Sequence, residues 1–198
     1  MSSEGVDLKK RRFLTASTAV VGAVGVGFAA VPFIANWNPS ERAKAAGAPE
    51  EANVAGLPEG GLLRVKWRGK VCWVVHRSQQ MLDDLASNDD LLADPNSDTE
   101  TQQPAYCKNA QRSIKPQYFV AVGICTHLGC SPTYRPEVAP ADMGPKWKGG
   151  FYCACHGSKF DLAGRVFSGV PAPTNLVIPP HQYISDDVIL IGVDGGAA

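Results

Sequence analysis

The chain has 198 residues with 19 basic and 19 acidic side chains, so its formal charge is zero. That balance, with no basic stripe beyond the N-terminus, excludes a protein that binds nucleic acid by neutralising phosphates. The length allows one soluble domain plus an appendage, and 20 Gly with 15 Pro point to a loop-rich β domain. Six cysteines mean redox or metal chemistry, a disulfide framework, or both, depending on the compartment.

Lys9, Lys10, Arg11 and Arg12 stand directly before an apolar run. The 22 residues from Phe13 to Ile34 carry no charge. As a helix they span about 33 Å, enough for a hydrocarbon core of about 30 Å. We read residues 13–36 as a transmembrane anchor and residues 1–12 as its cytoplasmic side, with the rest of the chain periplasmic. Arg11-Arg12-Phe13-Leu14 resembles a twin-arginine export signal, which implies a bacterial inner membrane and a domain exported already folded. The run is long for a cleavable signal, so an uncleaved single-pass anchor is expected, although residues 43–48 offer a small-x-small site. Thr15, Ala19, Ala23 and Gly27 line up at intervals of four as a small-residue face for a partner helix. Trp37 fits an interfacial aromatic. Residues 37–56 lack apolar periodicity and are interrupted by Pro39, Gly47 and Pro49, so they read as a linker.

The remaining residues, 57–198, form the head. Leu62–Trp67 and residues 71–76 read as two strands around Arg68-Gly69-Lys70, a hairpin signal. Residues 81–92 are a short helical candidate, and residues 93–117 read as an ordered polar insertion on the surface. The Asp-rich stretch 83–98 reads as a solvated face. Strands at 118–124 and 150–152 each deliver a cysteine–histidine box, and residues 188–193 close the chain as a strand after an Asp186-Asp187 turn.

The boxes are Cys125-Thr126-His127-Leu128-Gly129-Cys130 and Cys153-Ala154-Cys155-His156-Gly157-Ser158. Two thiolates with two imidazoles suit a [2Fe–2S] cluster held by Cys on one iron and His on the other. A structural zinc site prefers Cys-x2–4-Cys and His-x3–5-His spacing; here Cys125 and His127 are separated by one residue, and two cysteines would be left over. The pattern resembles the Rieske iron–sulfur subunits of cytochrome bc complexes, the ubiquinol–cytochrome c oxidoreductases, from the anchor to the last strand.

The resemblance implies a mainly β fold: an N-terminal transmembrane helix and an antiparallel β head with an inserted cluster-binding subdomain at about 122–174. It assigns Cys125, His127, Cys153 and His156 as ligands of one [2Fe–2S] cluster and Cys130 with Cys155 as a disulfide. It gives Ser158 a hydroxyl aimed at a bridging sulfide, and His156 the quinol contact, with His127 exposed beside it. Gly129 and Gly157 are expected to let backbone approach the sulfurs. Residues 169–173 resemble a proline loop covering the cluster, and Leu128 is expected on the rim of the quinol site. The implied function is electron transfer, coupled to a proton, from ubiquinol to a c-type cytochrome. The implied setting is a dimeric complex that contains cytochrome b, contacts membrane lipid and contributes to proton-motive force, and the linker is implied to be a hinge.

Two positions depart from the family pattern. Phe160 stands where many high-potential relatives have Tyr, which predicts a lower potential, and Ala154 stands where Pro is usual. Alternatives are the Rieske small subunit of an exported molybdenum oxidase, a soluble carrier or oxygenase component, and a zinc-bound module. The anchor and the second cysteine pair oppose the soluble carrier. Cys72 reads as a small core side chain, although pairing with Cys107 stays open. His76 and His181 read as strand or surface residues. No nucleophilic triad, phosphate loop or nucleotide fingerprint is present.

Overall fold

A computed structural model describes Gly5 and residues 7–194, in two units, residues 1–45 and 46–198. The first contains one long helix, α1 (Leu8–Ala35), with none of its residues buried. Asp7 caps it, its carboxylate accepting from the N–H groups of Lys9 and Lys10. The helix therefore starts ahead of the apolar run and takes in the four cations, because Lys and Arg are good helix formers and a cap is at hand. Trp37 follows it, fully exposed. Residues 1–4 and Val6 of the expected cytoplasmic segment lie outside the described residues.

A short helix, α2 (Glu41–Ala46), comes next, and β1 (Glu50–Asn53) follows it. The expected linker of residues 37–56 is thus too long at its C-terminal end. Ala52 and Val54 are buried, which two small side chains at alternate positions can achieve when the partner strand supplies the bulk.

Eight further strands are described: β2 (Leu62–Trp67), β3 (Lys70–His76), β4 (Tyr118–Val122), β5 (Thr133–Arg135), β6 (Gly150–Cys153), β7 (Ser158–Asp161), β8 (His181–Tyr183) and β9 (Val188–Ile191). They form three antiparallel sheets ordered β1-β9-β8, β2-β3-β4 and β5-β6-β7. Arg68 and Gly69 make the β2–β3 turn with φ of 50° and 72°, so Lys70 belongs to the strand and not to the turn. Two consecutive positive φ values match the twist of a tight hairpin.

The β2-β3-β4 sheet is the middle layer. On β3 and β4, Cys72, Val74, Val120 and Val122 face Ile189 and Ile191 of β9 in one core. Trp73, Val75, Phe119 and Ala121 face Phe151 and Phe160 of β6 and β7 in another. Burial on both faces explains why β3 reads as a continuous apolar run. It also keeps Cys72 and Cys107 apart: they lie in different cores, and both are free thiols. Trp73 stacks on Phe151 at 4.8 Å, joining the middle sheet to the sheet that carries the second box.

α3 (Gln79–Leu85) is capped by Ser78 and runs on as a 3-10 helix over Ala86–Leu91, close to the expected 81–92. The segment 93–117 is not the surface insertion that its polarity predicted. Ser97, Gln103, Cys107, Arg112 and Ser113 are all buried in it. Its polar groups face inward because buried acceptors await them. Arg112 donates to the carbonyls of Ala163, Gly164 and Leu176, and Asn109 and Gln103 donate to carbonyls of the segment itself. The Asp-rich stretch is likewise only partly solvated: Asp89 pairs with Arg165, and Asp94 accepts from the N–H groups of Asp98 and Thr99.

Candidate metal centre

The first box is the loop after β4, and the second is the tip of the β6–β7 hairpin, with Cys153 opposite Ser158. The two loops share a local geometry. Gly129 N–H donates to Cys125 O at 3.1 Å, and Gly157 N–H donates to Cys153 O at 2.9 Å. Both glycines have positive φ, 85° and 79°, and a Cβ added to either would meet no atom within 4 Å. The left-handed backbone that closes each loop, rather than close approach of neighbouring chain, is what requires glycine here. The first loop is closed again by Cys125 N–H donating to Cys130 O at 2.7 Å.

Cys125 and Cys153 are buried in one core. Cys130 and Cys155 form a disulfide that ties the loops together across 25 residues. The sulfurs of Cys130, Cys153 and Cys155 lie within 4.8 Å of one another, but the disulfide occupies two of them and leaves Cys153 as the available thiol. Burial raises the Cys153 thiol above its ordinary pKa and the adjacent Cys125 raises it further, while N–H groups of Cys155 and His156 pull it down. The rings of His127 and His156 meet edge to face, centroids 4.6 Å apart. His156 is exposed, whereas His127, expected to be exposed beside it, is half-buried.

Nδ1 of His127 is buried with no hydrogen-bond partner. An imidazole nitrogen in that position is costly unless something binds it. Two adjacent thiols and two adjacent imidazoles, one with an unclaimed inward nitrogen, fit a two-thiolate, two-imidazole iron–sulfur cluster. A bound cation would deprotonate the Cys153 thiol, whose pKa burial raises.

The strap of residues 169–173 and Thr174, which follows it, are fastened to the two boxes. Ala172 N–H donates to Ser158 Oγ at 3.0 Å, and Thr126 Oγ1 donates to the carbonyl of Thr174 at 2.7 Å. Ser158 is fully buried and, accepting from Ala172, keeps its own proton to donate elsewhere. Leu128 is 72% exposed at the tip of the first loop. Phe160 is fully buried beneath the boxes, and Ala154 is exposed in the hairpin tip.

Burial pushes the Cys72 and Cys107 thiols up to about 11 and about 12, and neither belongs to the centre. His76 is held by Leu57 O at Nδ1, and His181 is buried at the start of β8. Sequence reasoning missed Tyr134, whose hydroxyl donates to Gly60 O at 3.0 Å and whose ring packs on Phe151. It also missed Arg77, Arg112 and Arg165. Lone arginines in polar stretches carry no sequence signal of burial.

Residues 85–180 match the Rieske [2Fe-2S] domain family, and residues 1–40 match the ubiquinol–cytochrome c reductase Fe-S subunit TAT signal. The fold and these matches define a membrane-anchored Rieske [2Fe–2S] protein. Over its whole length the chain is 66% identical to the ubiquinol–cytochrome c reductase iron–sulfur subunit of Allochromatium vinosum, covering 95% of that relative. The same subunit from Blastochloris viridis is 38% identical over 96% of this chain and 97% of its own. A chain of a hyperthermophilic respiratory complex III aligns at 25% identity and a TM-score of 0.47, covering 88% of this chain and 98% of that one. The chain belongs to the family of ubiquinol–cytochrome c reductase iron–sulfur subunits. It is the redox subunit of an oxidoreductase complex with cytochrome partners, and the molybdenum-oxidase and soluble-carrier alternatives fall away.

Proposed function

We propose that Cys125 and Cys153 hold one iron of a Rieske cluster and His127 and His156 the other, in a head that works at the periplasmic face of the bacterial inner membrane. The bound cluster supplies a one-electron acceptor of higher potential than an all-thiolate cluster, because neutral imidazoles replace anionic thiolates. The chain's own residues do the rest. His156, exposed at the hairpin tip, receives the ubiquinol hydroxyl and holds its proton on the outward ring nitrogen. His127, with Nδ1 turned inward, presents Nε2 beside it. Leu128 packs on the partner's quinol-site rim and excludes water. The strap, fastened through Ser158 and Thr126, keeps the loops closed over the buried sulfurs.

The electron then passes to a c-type cytochrome. Cytochrome b builds most of the quinol site, the complex is a dimer, and α1 sits in lipid with residues 1–12 on the cytoplasmic side. The observation that carries this reading is the unpartnered, buried Nδ1 of His127 beside two buried thiols. Low-temperature EPR of membranes containing the chain, reduced with ascorbate, tests it. A rhombic Rieske signal that shifts with a quinol-site inhibitor is expected. A signal that needs dithionite would overturn the quinol role, and one that survives His127→Ala or His156→Ala with unchanged g-values would overturn the ligand set.

A further inference from the structure

Three arginines lie inside the head: Arg77 is 1% exposed, Arg112 0% and Arg165 2%. One carboxylate is buried with them, Asp161, and it is claimed by Arg165 at 2.8 Å. Arg165 also reaches the half-exposed Asp89 at 2.7 Å. Among the described residues, neither Arg77 nor Arg112 has a carboxylate within 4.0 Å. Both aim their guanidinium donors at neutral acceptors, and Arg112 Nε is buried without a partner. Arg112 reaches the carbonyls of Ala163 at 3.1 Å and Leu176 at 3.0 Å and Gln103 Oε1 at 2.9 Å. Arg77 reaches the carbonyls of Gln111, Leu162 and Pro116 and the hydroxyl of Ser113. Desolvation lowers the two guanidiniums to about 9 and about 10, which leaves both charged at neutral pH.

This excess positive charge borders the core that holds the candidate ligands. A Cβ placed on Gly164 would lie 3.3 Å from Arg112 Nη1, 3.1 Å from Leu176 and 2.7 Å from the ring of Phe119. Arg77 lies 5.4 Å from the centre of the same ring. Phe119 and Leu176 belong to one core with Cys125 and Cys153. Arg112 holds Leu176 O, two residues beyond the carbonyl that receives the hydroxyl of Thr126 in the first box. Fixed charges inside a protein are screened far less than surface ones, and positive ones favour whichever redox state is more negative.

We infer that Arg112 and Arg77 are tuning residues whose buried charge, with no carboxylate in contact, raises the reduction potential of the centre. The inference rests on Cys125, His127, Cys153 and His156 being the cluster ligands. Gln103→Glu tests it with the arginine still in place: the new carboxylate falls opposite Arg112 and neutralises it, at the loss of the amide donations to the carbonyls of Ser97 and Thr99. EPR-monitored redox titration of the assembled complex is expected to show native g-values and a lowered midpoint that does not move with ionic strength. Arg112→Gln should lower it in the same direction, Arg112→Lys should restore most of it, and Arg135→Gln, on an arginine already paired with Asp142 and Glu137, should leave it in place. A native-like signal with an unchanged midpoint in Gln103→Glu overturns the inference, as does an equal fall in Arg135→Gln. Absence of any Rieske signal in the unaltered complex would instead sink the ligand assignment and the inference with it.

Discussion

The ring of Phe160 is fully buried in β7, in one core with Cys125 and Cys153. A hydrocarbon there offers no donor to sulfur, whereas the N–H groups of Cys155 and His156 favour the thiolate of Cys153. Each donor stabilises the more negative, reduced state. Phe160→Tyr is therefore expected to raise the midpoint potential by about 60 mV, the equivalent of one hydrogen bond of about 1.4 kcal/mol for a one-electron couple. A redox titration with an unchanged midpoint would show that this position does not face a ligand sulfur. Removing the Ser158 hydroxyl works in the opposite direction. Ser158→Ala removes the acceptor of Ala172 N–H and the buried hydroxyl together. It should cost about 1 kcal/mol of stability in denaturant melts and lower the potential.

The two box loops are the elements on which the centre depends, and the disulfide is their covalent link. Cys130→Ser opens a cross-link spanning 25 residues, worth about 3.5 kcal/mol in the chain-entropy model. The variant is expected to lose its EPR signal at lower temperature than the parent, and equal thermal decay would refute that role. Much at this scale is legible in the sequence. The boxes, the β2–β3 hairpin and β4 follow from cysteine–histidine spacing and β-branched runs. β5, β7 and β8 are not legible, because three or four residues with polar side chains among them show neither a period nor the apolar run that marks β9. The segment 93–117 fails for another reason. Its polar side chains satisfy carbonyls distant in sequence, such as Arg112 on Leu176 O, and polarity alone cannot tell an inward-facing donor from a solvated one. At the centre, residue identity gave the candidate donors. It did not give the difference in exposure between His127 and His156, which tertiary packing sets.

For the whole head, the buried titratable groups define a pH range of greatest stability. His181 is buried, with Nδ1 on Pro179 O and Nε2 unpartnered, and desolvation lowers its pKa from 6.5. Below about 6.5 the unfolded chain therefore binds a proton that the folded head refuses, and stability falls as pH falls, by at most about 1.4 kcal/mol per pH unit. The alkaline side has the reverse origin. Cys72 and Cys107 titrate at about 11 and about 12 when folded, against 9.0 for the free thiol. Above 9 the unfolded chain releases protons first, and stability falls as pH rises. Lys115 holds the carboxylate of Asp186 below its ordinary 3.8, so its contribution is lost only in stronger acid. Denaturant midpoints measured from pH 4 to 11 should form a plateau between about 6.5 and 9. His181→Gln should flatten the limb just below 6.5 and leave the alkaline limb intact. An unchanged acid limb in that variant would mean that His181 takes up its proton inside the fold, so that burial of β8 against the middle sheet is looser than its contacts imply.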